Sequence, residues 1–135
     1  MPLSTIARTE IALDAEELVN RLVQWLKDRQ VIVYAVVHHT KDMQARGVDP
    51  HMDAWTVIYG NPVFGAAFLQ DAPTAVVDIP MRVGFYQKQK GKSVIVRRRM
   101  EELLREHDQA ELILKARKAD GLLNEWLETI AVSLE

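Results

Sequence analysis

The sequence predicts a single α+β domain built on a mainly antiparallel sheet of about five strands. One long helical pattern separates the first two strand-like segments, whereas polar turns or a short helix separate the later ones, and connections of this kind build antiparallel hairpins. The 135 residues are enough to bury a core without disulfides or metals. The strand-like segments are residues 5–13, 31–37, 54–59, 75–87 and 93–98.

The first two elements are a strand at residues 5–13 and an amphipathic helix that begins after Asp14. Aspartate is a preferred N-cap and Glu17 follows three residues later, so the pattern predicts a capping box. Apolar residues then recur at spacings of three and four, which is typical of a helix with one buried face. We expect this stripe to pack on the sheet; it contains Leu18, Val19, Leu22, Trp25 and Leu26.

The next segments predict two further strands. Residues 31–37 form a continuous apolar and β-branched run, which is typical of a central strand covered on both faces. A polar stretch follows, with a short helix expected around Met43 and a stop at Gly47. Residues 54–59 are rich in aromatic and β-branched side chains, which favour a strand.

Gly60-Asn61-Pro62 predicts the start of a short helix that runs through Leu69 and closes before Pro73. Asparagine is a preferred N-cap and proline suits the first helical position. The free amides of a helix start can also bind an anion, although the segment is neither a Walker loop nor GxGxxG. A plain cap and an anion site both remain open.

The second half predicts a strand at 75–87 interrupted near Pro80, a hairpin loop around Gly91, a strand at 93–98 and two helices. The last helix, at residues 111–134, is the longest, and its apolar residues share one face. They are Leu112, Ala116, Ala119, Leu123, Trp126, Leu127, Ile130 and Leu134.

Composition excludes several classes of function. The absence of cysteine excludes disulfides and thiolate catalysis. No apolar run is long enough to span a bilayer, and Arg8 and Glu10 occupy the place of a signal-peptide core, so we expect a cytoplasmic protein with no membrane partner. Seven basic and no acidic residues between 82 and 99 indicate a solvated face, an anionic partner or the acidic end of a second subunit. Nucleic-acid binding is not predicted, because no aromatic residues interleave the arginines at 97–99 and the pI is 6.1.

The candidate reactive residues are few. His38 and His39 are neighbours on a strand and face opposite ways, and no fixed-spacing ligand motif is present, so no metal site is predicted. If a metal is bound after all, His39 and His51 are the candidate ligands. No serine lies in a GxSxG elbow. Asp78 interrupts an apolar run, and if buried it needs hydrogen bonds or a counter-charge such as Arg82, in a functional or a structural role.

Several motifs occur in a fixed order. A hydrophobic strand ends near His39, a later strand runs into GNPVFG at 60–65, and Ala72-Pro73 precedes Asp78-Ile79-Pro80. In these motifs the chain resembles the domain of unknown function 302 family, over about residues 14–107. The matching positions are His39, Gly60, Asn61, Pro62, Gly65, Asp78 and Pro80.

The resemblance implies a fold similar to a half-repeat of the TATA-binding protein: a strand, a helix, four antiparallel strands and a closing helix. Residues 108–135 would then be a helical extension of that core. His38 stands where the family commonly has aspartate. Family members are often dimers, and the resemblance implies no established reaction and no cofactor.

These observations favour a non-catalytic protein that self-associates as a homodimer and binds a small anionic or amphipathic ligand. The predicted interface is the helix at 111–134, whose apolar stripe exceeds what a small core needs. An acid–base or metal-assisted enzyme that uses His39 and Asp78 is the alternative, and an interaction module that acts through the last helix is a third. The candidate ligand-binding residues are Gly60, Asn61, Gly65, Asp78 and Arg82.

Overall fold

A computed structural model describes residues 4–133 of the chain. The chain divides into two compact units, a sheet unit of residues 6–60 and 80–98 and a helical unit of residues 61–79 and 99–133, with residues 4 and 5. The strands are β1 (Ile6–Ile11), β2 (Ile32–His38), β3 (Asp53–Gly60), β4 (Met81–Gln89) and β5 (Lys92–Arg98). The helices are α1 (Ala15–Asp28), α2 (His39–Gln44), α3 (Pro62–Asp71), α4 (Met100–Leu103) and α5 (Ala110–Ser133), with 3₁₀ segments at Pro73–Val77 and Leu104–His107.

In the sheet unit every strand pairs antiparallel with its neighbours, in the order β1-β5-β4-β3-β2. The α1 helix packs on this sheet through Leu18, Leu22 and Leu26, which are fully buried. Trp25 is half-buried instead, and the Arg29 guanidinium lies 3.7 Å from its ring centroid. The predicted α+β fold with five antiparallel strands and packed helices is therefore confirmed.

The position of β2 corrects one prediction. The run at 31–37 was expected at the centre of the sheet, yet β2 lies at its edge among the described strands. Ile32, Tyr34 and Val36 are 43%, 52% and 43% exposed. A continuous apolar run therefore does not distinguish a strand covered on both faces from an apolar edge.

The start of α1 corrects a second prediction. Asp14 does occupy the N-cap position, but its carboxylate makes no cap bond to the helix among the described residues. Its Oδ1 instead accepts hydrogen bonds from the Gly91 amide at 2.7 Å and the Gln87 side chain at 2.6 Å. The Gln87 amide oxygen accepts the bond from the Ala15 amide at 2.8 Å, so a residue of the β4–β5 hairpin caps the helix.

In the helical unit, α3 begins as predicted. Asn61 Oδ1 accepts from the Val63 amide at 2.9 Å, and Pro62 is the first helical residue. The strand expected at 75–87 is wrong in its first part, because Pro73–Val77 forms a 3₁₀ turn and β4 begins only at Met81.

The α5 helix packs against α3 and α4, and its apolar stripe is buried within the chain. Trp126 is 1% exposed. Leu134 lies outside the described residues. Most of the stripe is therefore covered within the chain, which removes the main argument for an interface on α5, whereas self-association itself stays a prediction. The buried members of the stripe are Leu112, Ala116, Leu123, Trp126 and Ile130.

Candidate functional site

Three polar side chains of the helical unit form one hydrogen-bonded chain. His107 Nε2 lies 2.8 Å from Asp78 Oδ2, and His107 Nδ1 lies 2.7 Å from Thr74 Oγ1. The His107 side chain is 8% exposed and that of Asp78 21%, whereas Thr74 is exposed. The network is thus a mostly buried imidazole held by a carboxylate on one side, with a hydroxyl on the other that solvent can reach.

Local structure places these groups. The 3₁₀ turn Pro73–Val77 carries Thr74 at its start and closes with the Asp78 amide donating to the Ala75 carbonyl at 2.9 Å. His107 is the last residue of the second 3₁₀ segment, and Asp108 then takes a left-handed conformation with φ 50°. Aspartate tolerates that conformation better than most residues, so the chain turns immediately after the histidine.

The protons carried by the two ring nitrogens of His107 decide whether the exposed Thr74 hydroxyl can donate a hydrogen bond to a ligand. When Asp78 is ionised and His107 is neutral, Nε2–H donates to the carboxylate and Nδ1 accepts the Thr74 proton. Thr74 then presents only oxygen lone pairs to a ligand. When His107 is protonated, both nitrogens donate, and the Thr74 hydroxyl can donate to an anion.

Neighbouring contacts stiffen the unit around this network. Lys115 of α5 pairs with Asp71 at the end of α3, at 2.6 Å. The Asp120 carboxylate accepts from the Met100 and Glu101 amides at 2.7 and 3.0 Å, which caps α4. These charged groups bond the last helix to both α3 and α4, the elements that lead into the 3₁₀ segments.

Apolar side chains are unusually exposed in the same unit. Val76 and Val77, between Thr74 and Asp78, are 65% and 76% exposed. Val63 in the first turn of α3 is 78% exposed, and Phe64 is also exposed. The helical unit therefore combines a polar network with exposed apolar side chains.

The predicted ligand-binding residues fall into two groups. Asn61, Gly65 and Asp78 belong to the helical unit, whereas Gly60 and Arg82 belong to the sheet unit. Asn61 is a helix cap, and a Cβ on Gly65 would lie 3.9 Å from the Ile79 side chain. Asp78 has the hydrogen-bond partner that its burial requires, and this partner is His107 of the same unit.

Gly60 has a structural reason to be glycine. A Cβ at this position would come within 3.3 Å of Pro80 Cβ and of Tyr34 Cε2. Those distances are tighter than most real Cβ contacts, so a larger residue would push the β2–β3 edge and the start of β4 apart. Arg82 is exposed on β4.

The other histidines have partners in the sheet unit. His38 stacks on Trp55 with ring centroids 3.6 Å apart. The Asp53 carboxylate is hydrogen-bonded to both rings: Oδ1 lies 2.7 Å from His38 Nε2, and Oδ2 accepts from Trp55 Nε1 at 3.0 Å. His39 Nε2 lies 2.7 Å from Thr56 Oγ1. His39 and Asp78 belong to different units, and each is hydrogen-bonded to a residue of its own unit.

His51 borders an open polar cavity of about 510 Å³, at the start of α1 and the β4–β5 turn. The Asp14 carboxyl on its wall has a lowered pKa, chiefly because the Gly91 amide and then the Gln87 side chain donate hydrogen bonds to its charged form. Across residues 4–133 no group of three or more His, Cys, Asp or Glu side chains is placed to hold a metal ion. The cavity is lined by Asp14, Glu16, His51, Met52, Asp53, Gln87, Lys88, Gln89 and Lys90.

Sequence reasoning named Asp78 but did not assign roles to Thr74 and His107. One available signal was the need of Asp78 for a partner, combined with the small number of histidines. Contact between residues 29 positions apart in the chain could not be inferred from spacing.

Comparison with known proteins supports the same fold. The chain matches the family model of the domain of unknown function DUF302 over residues 7–130, a wider range than the predicted 14–107 that takes in most of α5. It is similar to the crystal structure of an uncharacterized conserved DUF302 protein from Bacillus stearothermophilus, with a TM-score of 0.83 and 19% identity over 93% of this chain and 98% of that one. A search of curated proteins found no match, and no helix among the described residues is long and apolar enough to cross a membrane. The chain belongs to the DUF302 family.

Proposed function

We propose that the protein is a self-associating domain that binds a small amphipathic anion in its helical unit. The observation that carries the proposal is the bonding of His107 at both nitrogens, to Asp78 inside and to the exposed Thr74 hydroxyl outside. A buried imidazole that is hydrogen-bonded at both nitrogens fixes the position of the Thr74 hydroxyl and the direction in which the hydroxyl proton points. That arrangement provides one oriented polar contact for a ligand.

The apolar part of the ligand would contact the exposed valines of the same unit. Val76 and Val77 lie between Thr74 and Asp78 in the sequence. A Cβ on Gly65 of α3 would lie 3.9 Å from the side chain of Ile79, the residue after Asp78. A few convergent polar groups beside apolar surface are the usual composition of a small-molecule site. An anion would be favoured when His107 is protonated, because Thr74 then donates.

Octanoate is a suitable probe, since it combines a carboxylate with an alkyl chain. We expect its addition to shift amide NMR signals of residues 61–79 more than those of the sheet unit. Thr74→Val should weaken binding about fivefold, as expected for one lost hydrogen bond. Thr74→Ser should preserve binding.

Matched controls separate the site from general destabilisation. Thr129→Val removes an exposed threonine of α5 whose hydroxyl bonds the Trp126 carbonyl, and His51→Gln removes an exposed histidine. Neither should change octanoate affinity. Equal weakening by Thr74→Val and Thr129→Val, or signal shifts confined to the sheet unit, would contradict the site.

A second candidate function is acid–base chemistry on the same network, with His107 in the place that His39 was predicted to take. The order hydroxyl, imidazole, carboxylate matches a nucleophile, a base and the group that orients the base. Thr74 Oγ would attack an ester carbonyl, its proton would pass to His107 Nδ1, and the alkoxide would leave with that proton. Water would then release the acyl group.

p-Nitrophenyl acetate tests this candidate. Mass spectrometry should find one acetyl group on Thr74, absent from Thr74→Ala and slow to form in His107→Gln. Acetylation of lysines alone, or equal nitrophenol release by the wild type and Thr74→Ala, would exclude it and leave the binding proposal intact.

A further inference from the structure

The β2 strand is an edge that carries unusual exposed surface. It ends the sheet formed by the described strands, so one side of its backbone presents N–H and C=O groups that β3 does not use. Ile32, Tyr34 and Val36 are exposed at every second position. Proteins usually protect such an edge with charged residues or proline, and the segment IVYAVVH contains neither before its last residue.

The opposite edge of the sheet is different. β1 carries Arg8 and Glu10 as exposed residues. Pairing of β2 with β1 of another copy would place charged side chains beside an apolar strand, and repetition would build an open filament. Pairing of β2 with β2 places no charges opposite each other and closes after two copies.

We infer that a second copy of this chain adds its β2 antiparallel to β2, so that two sheets join across a two-fold axis. The inference rests on the self-association in the proposed function and gives it a surface, in place of the buried stripe of α5. An added strand gains affinity from main-chain hydrogen bonds and specificity from alternate side chains.

The pairing of β2 with β3 indicates which register two copies of β2 would take. A bulge between Val33 and Ala35 interrupts the pairing of β2 with β3, whereas Ala35 to His38 pair regularly with Ile58 to Trp55. Bulges disturb regular ladders, so the straight part of the strand is the part suited to a partner. A two-fold axis at Val36 would set Val36 opposite its copy and Tyr34 opposite His38 of the partner copy.

Light scattering on the full chain tests the surface. The wild type is expected to give twice the 15.4 kDa chain mass. Val36→Lys places a charge at the two-fold axis and should weaken the dimer more than tenfold, whereas Val77→Lys, a matched change in the helical unit, should not. Circular dichroism of each variant would verify that the monomer remains folded.

Cross-linking provides a second measurement, because the chain has no cysteine. Residues directly opposite in antiparallel strands have Cα atoms about 4.5–5.5 Å apart, which a disulfide can bridge. Val36→Cys should therefore form a covalent dimer on mild oxidation, much faster than Ile32→Cys or Val77→Cys.

The outcomes separate the surface from self-association itself. A dimer that survives Val36→Lys and cross-links no better through Val36→Cys than through Val77→Cys would place the interface elsewhere and overturn the inference alone. A wild-type mass of one chain at all concentrations up to about 100 μM would overturn both the inference and the proposed self-association.

Discussion

Removal of the Asp78 charge should lower the free energy of unfolding by about 1.5–3 kcal/mol, the usual contribution of a hydrogen bond to a charged group. Asp78 Oδ2 lies 2.8 Å from His107 Nε2, and both side chains are mostly shielded from water, so solvent screens the interaction less than it would at the surface. Asp78→Asn keeps the shape and one acceptor, which places the expected loss in the lower half of that range. The melting temperature should fall by roughly 4–8 °C per kcal/mol for a small domain and by less for a larger one.

The assay is urea unfolding of four proteins: the wild type, Asp78→Asn, His107→Gln and the double variant. Because the two side chains contact each other, the cycle should give a coupling energy of about 1 kcal/mol or more. Asp108→Asn is the matched control, since Asp108 is exposed and asparagine suits its left-handed conformation. Additive losses in the cycle, or a loss for Asp78→Asn no larger than for Asp108→Asn, would refute the reasoning.

Three further predictions, made with four substitutions, test the local physics of the fold. Asn61→Ala should lower the free energy of unfolding by about 1 kcal/mol, because it removes the α3 cap. Urea unfolding should show this loss as a lower midpoint with an unchanged slope. Asp14→Asn should lower the urea midpoint most at neutral pH. The folded-state pKa of Asp14 is lowered from 3.8, so its stabilisation is fully present above that value and disappears as pH falls through the lower folded pKa; a gap between variant and wild type that widens in acid would contradict this sign. Gly60→Ala should destabilise because its Cβ meets neighbours at 3.3 Å, whereas Gly121→Ala, with nothing within 4 Å in the middle of α5, should stabilise by about 0.5–1 kcal/mol; equal shifts in melting temperature would show that the glycine contacts do not matter.

Much of the fold was predictable because local signals and the final structure agree. The Gly60-Asn61-Pro62 sequence alone predicted a strand that ends and a capped helix that begins, since each residue type has one strong conformational preference there. The stripe of α1 predicted its buried face, because leucines at spacings of three and four can be covered together only on a helix. These features depend on neighbours within one turn of chain.

Local patterns failed where two solutions look alike in sequence. An apolar run such as residues 31–37 fits a strand between two others and equally an edge strand with exposed apolar side chains. Asp14 has an N-cap's residue type and position, yet the hairpin at Gly91, 77 residues away, provides better donors for its carboxylate.

Sequence by itself determined the fold class, the α3 cap and the need of a buried Asp78 for a partner, because hydrophobic period, backbone preference and the cost of an unpartnered carboxylate are properties of a residue and its near neighbours. Only the tertiary structure decided that His107 is a partner of Asp78. It also decided that the stripe of α5 is buried while β2 is exposed. Both depend on which distant segments fold against each other, and residue spacing along the chain carries no information about that choice.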